Sequence, residues 1–430
     1  MDLTLIIVIS VAFLFLLLAS GSWIFVTLAL AGILALVLLG GFQGIIALVA
    51  WGAADNWILA AVPLFIFMGN IMLVSGSADD LYTGVSTWLS PLPGGLIHTN
   101  IGACAIFAAL SGSSTATTAT IGSVAIPEQQ RRGYDRDLIM GSIAGAGTLG
   151  ILIPPSINMI VYGAWVEISI ARLFIAGVIP GIILAMGFMA YVGYAAVRAP
   201  WRAPRGSRPT PREMLLSIKL LLPILIMVAV ILGGVYTGWV TPTETAAAGC
   251  FLAFVLACLQ RKASWKLLSD AAEKTVITTC MILAIYVSAH ILAHALLRLG
   301  ITASLSSFIA QGEFSPWLIM LIIYFMYLVL GCFFDGISMI LLTLPFVEPI
   351  LMGLGADLTW FGVILILLTE VGMLTPPVGF NLYVMLGIVK GSTMAEVVRS
   401  VLPFMLIILI GIGIFTVLPQ LVLWLPGTMG

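Results

Sequence analysis

Apolar residues gather along this chain in stretches near the ~20 that a helix needs to cross a bilayer core. The pattern predicts spans over 3–20, 22–40, 57–75, 138–165, 171–197, 215–236, 243–259, 274–296, 358–388 and 400–425. Amphipathic stretches at 42–54, 78–89, 264–272 and 300–311 predict helices that lie along the interface or brace the spans. Two apolar runs fit neither class. From His98 to Pro127 the run is interrupted at Leu110-Ser-Gly-Ser-Ser-Thr-Ala-Thr-Thr118, leaving arms of roughly 12 to 14 residues, too short to cross. From Pro316 to Pro349 the break falls at Gly331-Cys-Phe-Phe-Asp-Gly-Ile-Ser338. Both predict re-entrant hairpins, because lipid cannot satisfy free N–H and C=O groups and such backbone persists only inside protein or against a wet cavity.

The segments after the hairpins also correspond. Gly147-Thr-Leu-Gly-Ile-Leu-Ile-Pro-Pro155 matches Glu370-Val-Gly-Met-Leu-Thr-Pro-Pro377, and an Asn and a Tyr follow each, Asn158 and Tyr162, then Asn381 and Tyr383. Pro154 and Pro376 lie 222 positions apart, the offset of an internal repeat. The expected fold is an all-α polytopic membrane protein of two inverted-topology repeats, each with a re-entrant helical hairpin and a Pro-broken helix. Residues 1–197 form the first repeat (hairpin 98–128, broken helix 138–165). Residues 198–214 form a connector, and 215–430 the second repeat (hairpin 316–349, broken helix 358–388). Five crossings per repeat, an odd number, turn the second upside down. Broken helices meeting near the midplane in inverted repeats are the architecture of secondary transporters. The connector carries Arg198, Arg202, Arg205, Arg208 and Arg212, which the positive-inside rule puts in the cytoplasm. Counting spans outward from it places every Lys and Arg inside except Arg172 and Arg298, with both termini on the outer face.

Composition narrows the class. With 61% hydrophobic and 8% charged residues and a mean hydropathy of +1.20, the chain lies far from the ~25% charge of soluble domains. A net charge of −1 indicates no particular partner. Cys104, Cys250, Cys258, Cys280 and Cys332 have no metal or redox spacing and read as buried thiols. The N-terminus lacks a signal-peptide pattern and reads as a retained span. No Walker-type loop is present, so ATP hydrolysis is excluded as this chain's energy source.

Candidate chemistry concentrates at the breaks. Asp335, with Ser338 one turn on, is costly at membrane depth and invites a cation. Sodium wants oxygens, and carbonyls around Gly372, Thr375 and Pro376 are available, since Pro frees the carbonyl four residues back. A first site is expected from Ser113 and Ser114 with carbonyls near Gly147, Thr148 and Gly150. Ser111, Thr115, Asn158 and Asn381 are the candidate solute contacts. Plainer readings stand beside these: small residues and hydroxyls pack membrane helices without a ligand, and Asp335 serves as a cap or salt bridge. Glu370 reads equally as a second intramembrane acid or a packing hydrogen-bonder. Thr241-Pro-Thr-Glu244 reads as a capping box. His290 and His294, four apart, lack a third ligand and read as core or interface residues. Trp201, Trp317, Trp360 and Trp424 read as interface anchors.

The Leu110–Pro127 stretch, the two Pro-Pro breaks and Tyr236-Thr-Gly-Trp-Val-Thr-Pro-Thr-Glu-Thr-Ala-Ala-Ala-Gly249 resemble the large membrane subunit, DctM type, of tripartite ATP-independent periplasmic (TRAP) transporters, over nearly the whole chain. The resemblance implies a sodium-driven importer of organic acids in a bacterial inner membrane, of the elevator type in the ion-transporter superfamily. It implies a DctP-type periplasmic binding protein and a DctQ-type four-helix membrane subunit as partners. Sodium is the coupling ion, with no cofactor, no enzymatic activity and no nucleic acid. The family's sodium sites match Ser113, Ser114, Gly147, Pro154, Asp335, Gly336, Thr375 and Pro376 here. With no span before Asp2, the small subunit is expected as a separate chain. Two alternatives carry less weight: a self-sufficient sodium/carboxylate symporter of the same architecture, and an intramembrane hydrolase, for which Gly112-Ser113-Ser114 lacks the strand-to-helix elbow.

Overall fold

The computed structural model describes residues 3–40, 43–206, 208–304 and 315–429; the expected helix at 300–311 lies outside these from residue 305 on. Among the described residues the chain is helical and contains no strand. Eight of the described helices are long and apolar enough to cross a membrane.

Local sequence explains where many helices start. Thr210, Thr241 and Thr393 each accept the N–H of a Glu three residues on, while that Glu accepts the Thr N–H at 2.7, 2.8 and 2.8 Å. Such reciprocal caps satisfy two N–H groups that the helix itself leaves free. The box expected at Thr241 is therefore present. Three expectations are corrected. The interface helix 264–272 and the span 274–296 are one helix, Trp265–Arg298, because no Gly or Pro interrupts it. At 34 residues it runs about 50 Å, well beyond a ~30 Å core. The last span is Met394–Val417, ended ahead of Pro419 with a separate turn at Gln420–Leu423, rather than 400–425. Finally, Trp360 is no interface anchor: it is buried, and its indole donates to the Phe415 carbonyl at 2.8 Å. Trp201, Trp317 and Trp424 are exposed.

Burial differs between the helices, and packing partners divide them into two sets. The first broken helix, 136–165, has 94% of its apolar window buried, whereas Pro211–Tyr236 has 28%. The hairpins and broken helices pack with helices Ile170–Arg198 and Met394–Val417, while Ala61–Val74, Pro211–Tyr236, Pro242–Leu259 and Trp265–Arg298 pack beside them as a flanking set. Glycines set the closest approaches. A Cβ on Gly32 would meet the Leu292 backbone at 2.8 Å, so Ile24–Leu38 lies directly on Trp265–Arg298. Gly141 and Gly145, four apart on the first broken helix, admit Ser400 and Phe404 of Met394–Val417, the small-residue spacing of membrane helix pairs. The connector folds onto the base of the first hairpin. Arg202 pairs with Asp135 at 2.7 Å, and Tyr134 donates to the Pro204 carbonyl at 2.6 Å while accepting the Leu96 N–H. The bonded Asp135 carboxylate pushes the Arg202 guanidinium further up from its ordinary value.

Gly331 and Gly372 cross backbone against backbone, and a Cβ on Gly372 would lie 2.5 Å from the Gly331 Cα. Backbone cannot swing aside as a side chain does, so Gly372→Ala is expected to cost about 1–3 kcal/mol, read as a lower melting temperature of the purified protein. Gly413→Ala, in a helix with nothing within 4 Å of the new methyl, should instead be neutral or stabilising.

Candidate functional site

In the first hairpin, Leu96–Ser111 ends at Gly112, whose φ of +59° suits glycine, and Ser113 then caps Ser114–Arg131 by accepting the Ala116 N–H at 3.4 Å. Ser111 Oγ meets Thr117 Oγ1 at 2.7 Å, and Thr117 donates back to the Ser113 carbonyl at 2.8 Å, closing the tip on itself. In the second, Pro316–Gly331 gives way to Gly336–Gly353 through Asp335, whose Oδ2 accepts the N–H groups of Ile337 and Ser338 at 3.2 and 3.3 Å. The capping role considered for Asp335 is thus present, and it occupies one carboxylate oxygen.

Each tip rests on the Pro-Pro break of its own half. The first broken helix runs Arg136–Gly147, Leu149–Leu152, then, after Pro154-Pro155, Ile157–Trp165. Gly150 lets it approach the Ser113 carbonyl, where a Cβ would come within 2.6 Å, and Gly112 lies against the Pro155 carbonyl. The second runs Leu358–Met373 and, after Pro376-Pro377, Phe380–Ile388, with the Val378 N–H donating to the Cys332 carbonyl at 3.0 Å. Both Pro-Pro peptides are cis.

The tips also touch the opposite half. Asn381 donates to Ser114 Oγ at 2.6 Å, and Gly336 carries no side chain where the Asn158 amide nitrogen comes up beside it. Both hairpins and both breaks therefore meet at one place.

Between the tips is a cleft of about 410 Å³. Ser111, Ser113, Ser114 and Thr115 face it from the first tip, Asp335 and Gly336 from the second, and Asn158 from the first break. Ser338, also buried, lines instead a neighbouring apolar crevice that Asp335 shares. Thr375 donates to the Val371 carbonyl at 2.7 Å, away from the cleft. Gly147, Gly150, Gly372 and Pro154 are buried in the packing behind the tips, Pro376 is exposed, and Asn381 is fully buried.

Several polar groups were not singled out in the sequence. Asn70 lines the cleft from the span Ala61–Val74 and donates to Thr275 Oγ1 at 3.0 Å; a lone amide in an apolar span was the available signal. At the hairpin base, Gln129 donates to Tyr82 Oη, the Leu96 carbonyl and Asn100 Oδ1, while Asn100 donates to Ser142 Oγ, a buried network that fixes both arms. Glu370 is fully buried and neither carboxylate oxygen has a hydrogen-bond partner among the described residues, so the packing hydrogen-bonder reading finds no bond there. Thr118 Oγ1 and Asn381 Oδ1 are likewise buried without partners, the former against Gly147. His290 stacks on Trp165 with ring centres 4.1 Å apart. Among the described residues no cluster of three metal-binding side chains occurs.

The profile of the family described as tripartite ATP-independent periplasmic transporter, DctM component, matches residues 11–421. The chain belongs to this family. This DctM-family protein is 37% identical over 382 residues to the C4-dicarboxylate TRAP transporter large permease protein DctM of Pseudomonas aeruginosa, covering 88% of each chain. It is 30% identical over 412 residues to the isethionate TRAP transporter permease protein DctMQ of Oleidesulfovibrio alaskensis, covering 95% of this chain and 65% of that one. Its fold is similar to that of the YdaH transporter of Alcanivorax borkumensis, with a TM-score of 0.62 at 14% identity over 88% of this chain and 89% of that one. The DctM-family chain is thus a multi-pass membrane protein of the permease class.

Burying an ionised carboxylate without a partner is costly. Glu370→Gln keeps the shape and cannot ionise, so the variant is expected to match or exceed the parent in melting temperature. A marked fall would show that the carboxylate is held by a charge.

Proposed function

We propose that the protein is a sodium-coupled importer of an organic acid, working with a periplasmic substrate-binding protein and a small membrane subunit in a bacterial inner membrane. The convergence of both hairpin tips and both Pro-Pro breaks on one cleft carries this reading. Paired broken helices supply what such coupling needs: half-helix N-termini for an anion, and freed carbonyls and hydroxyls for a hard cation. At the first tip, Ser113, Ser114 and the carbonyls near Gly147, Gly150 and Pro154 would hold one sodium ion. The unpartnered oxygens of Thr118 and Asn381 support this, since a buried oxygen without a donor suits a cation. At the second tip the free Oδ1 of Asp335, Gly336, Ser338 and the backbone of Gly372, Thr375 and Pro376 would hold another. At 100 mV each net charge moved inward supplies about 2.3 kcal/mol, so two sodium ions with a monoanion concentrate solute without ATP. Alternating exposure would follow from the hairpin-bearing set, with both tips, sliding as an elevator along the flanking set. The inverted relation of the halves, the cytoplasmic connector and the periplasmic termini belong to the same proposal. The relatives named for C4-dicarboxylates and isethionate both take anions, which supports an acidic solute.

Three measurements test this. Proteoliposomes holding the chain and its small partner are expected to take up the cognate acid only with an inward sodium gradient and the binding protein present; uptake without the binding protein would favour the self-sufficient symporter. Asp335→Asn retains an N-cap, because Asn caps as well as Asp, and is expected to leave protein abundance nearly unchanged while weakening sodium activation at least tenfold. Unchanged sodium activation would remove Asp335 from the ion site. Ser113→Ala combined with Ser114→Ala should reduce the sodium stoichiometry; a normal value would mean that these hydroxyls only pack.

A further inference from the structure

The helix Trp265–Arg298 of the flanking set runs beside the site, and the face it turns to the hairpins changes character along its length. Thr278, Met281 and Ile282 line the cleft, and Cys280, Ala284 and Ile285 line the neighbouring crevice. Over this stretch open volume separates the flanking set from the hairpins. Tyr286 and His290 follow about one and two turns beyond Ile282, roughly 6 and 12 Å further along the axis. There the open volume gives way to packed rings.

The His290 imidazole stacks on the Trp165 indole with ring centres 4.1 Å apart and planes 28° from parallel, and the Tyr286 ring meets the same indole edge-on at 5.9 Å. Trp165 ends the helix that follows the first Pro-Pro break. Its indole N–H donates to Glu348 Oε2 of the second hairpin at 2.9 Å, so the ring is fixed from the hairpin side and would travel with it. The Tyr286 hydroxyl donates across the same boundary to the Ala164 carbonyl at 3.1 Å, while Asn56 donates to that hydroxyl from the flanking side at 3.4 Å.

A second observation separates this contact from permanent packing. The Nε2 of His290 is buried without a partner among the described residues. An apolar residue would fill the place without that cost. Parting the rings would return the nitrogen to water, which offsets part of the stacking that is lost. Such a contact closes well and opens cheaply.

If the connector is cytoplasmic, as in the importer reading on which this rests, the Arg298 end of the helix is the outer one. We propose that Trp165, Tyr286 and His290 form an outer latch: the cleft opens outward only when these rings part, and the strength of their contact sets how often it does.

Labelling by a membrane-impermeant maleimide tests this in cells that make the chain and its small partner. The four cysteines other than the buried Cys104 are replaced by alanine, and Ala116→Cys, at a position lining the cleft, is the reporter. His290→Ala is expected to speed labelling from outside at least threefold with no rise in inverted vesicles. His290→Phe, which keeps a ring there, is expected to return the outside rate to that of the parent. Tyr286→Phe keeps the packing and loses the bond to Ala164, so a smaller rise is expected; it carries the test where His290→Ala fails to accumulate. Unchanged outside rates would overturn the latch. Rates rising on both sides would overturn it too, because they mark loosened packing, as would a failure of His290→Phe to restore the parent rate. Sodium-driven uptake by the parent is measured alongside. Its absence would sink the importer reading whatever the labelling, whereas intact uptake with unaltered labelling would sink the latch alone.

Discussion

Four helix breaks lie in the apolar interior of this protein, and each exposes backbone groups that lipid cannot satisfy. The rest of the structure is arranged around meeting that demand. Ser113, Ser156 and Asp335 cap the helices that restart after three of the breaks, and a left-handed glycine, Gly379, starts the fourth. The breaks then serve one another, since Val378 donates to the Cys332 carbonyl and Gly112 lies on the Pro155 carbonyl. Such approaches require backbone against backbone, which is why Gly150 and Gly372 stand where they do.

The two tips share an architecture but differ in chemistry. A neutral hydroxyl caps the first, and a cluster of further hydroxyls surrounds it. The second is capped by a carboxylate with apolar neighbours, so two hairpins of similar build present unlike faces to the space between them.

Much of this was legible in the sequence because its causes are local. Gly, Ser and Pro at mid-span announce the breaks, and Thr-Pro-Thr-Glu announces a helix start. What remained hidden depends on distant partners. Asn381 and Ser114 are 267 positions apart, and nothing in either neighbourhood specifies the other. Trp360 resembles an interface anchor until the Phe415 carbonyl is seen to accept from it inside the body. The join of 264–272 to 274–296 failed from weighting amphipathic character over the plain absence of a breaker. Glu370 shows the opposite limit: its position was evident, but its lack of any partner is a property of the folded environment.

The pairing of each tip with the opposite half bears on how the chain is made. Ser114 reaches Asn381 only after the second half exists, so the first hairpin enters the bilayer with its hydroxyl tip incomplete. At translation rates of about 5–20 residues per second, the 267 intervening positions take roughly 13 to 53 s. For that interval the Ser114 hydroxyl lacks the amide donor it has in the folded protein. The first tip is thus completed only by the helix that follows the second Pro-Pro break, the last element of the site to be made.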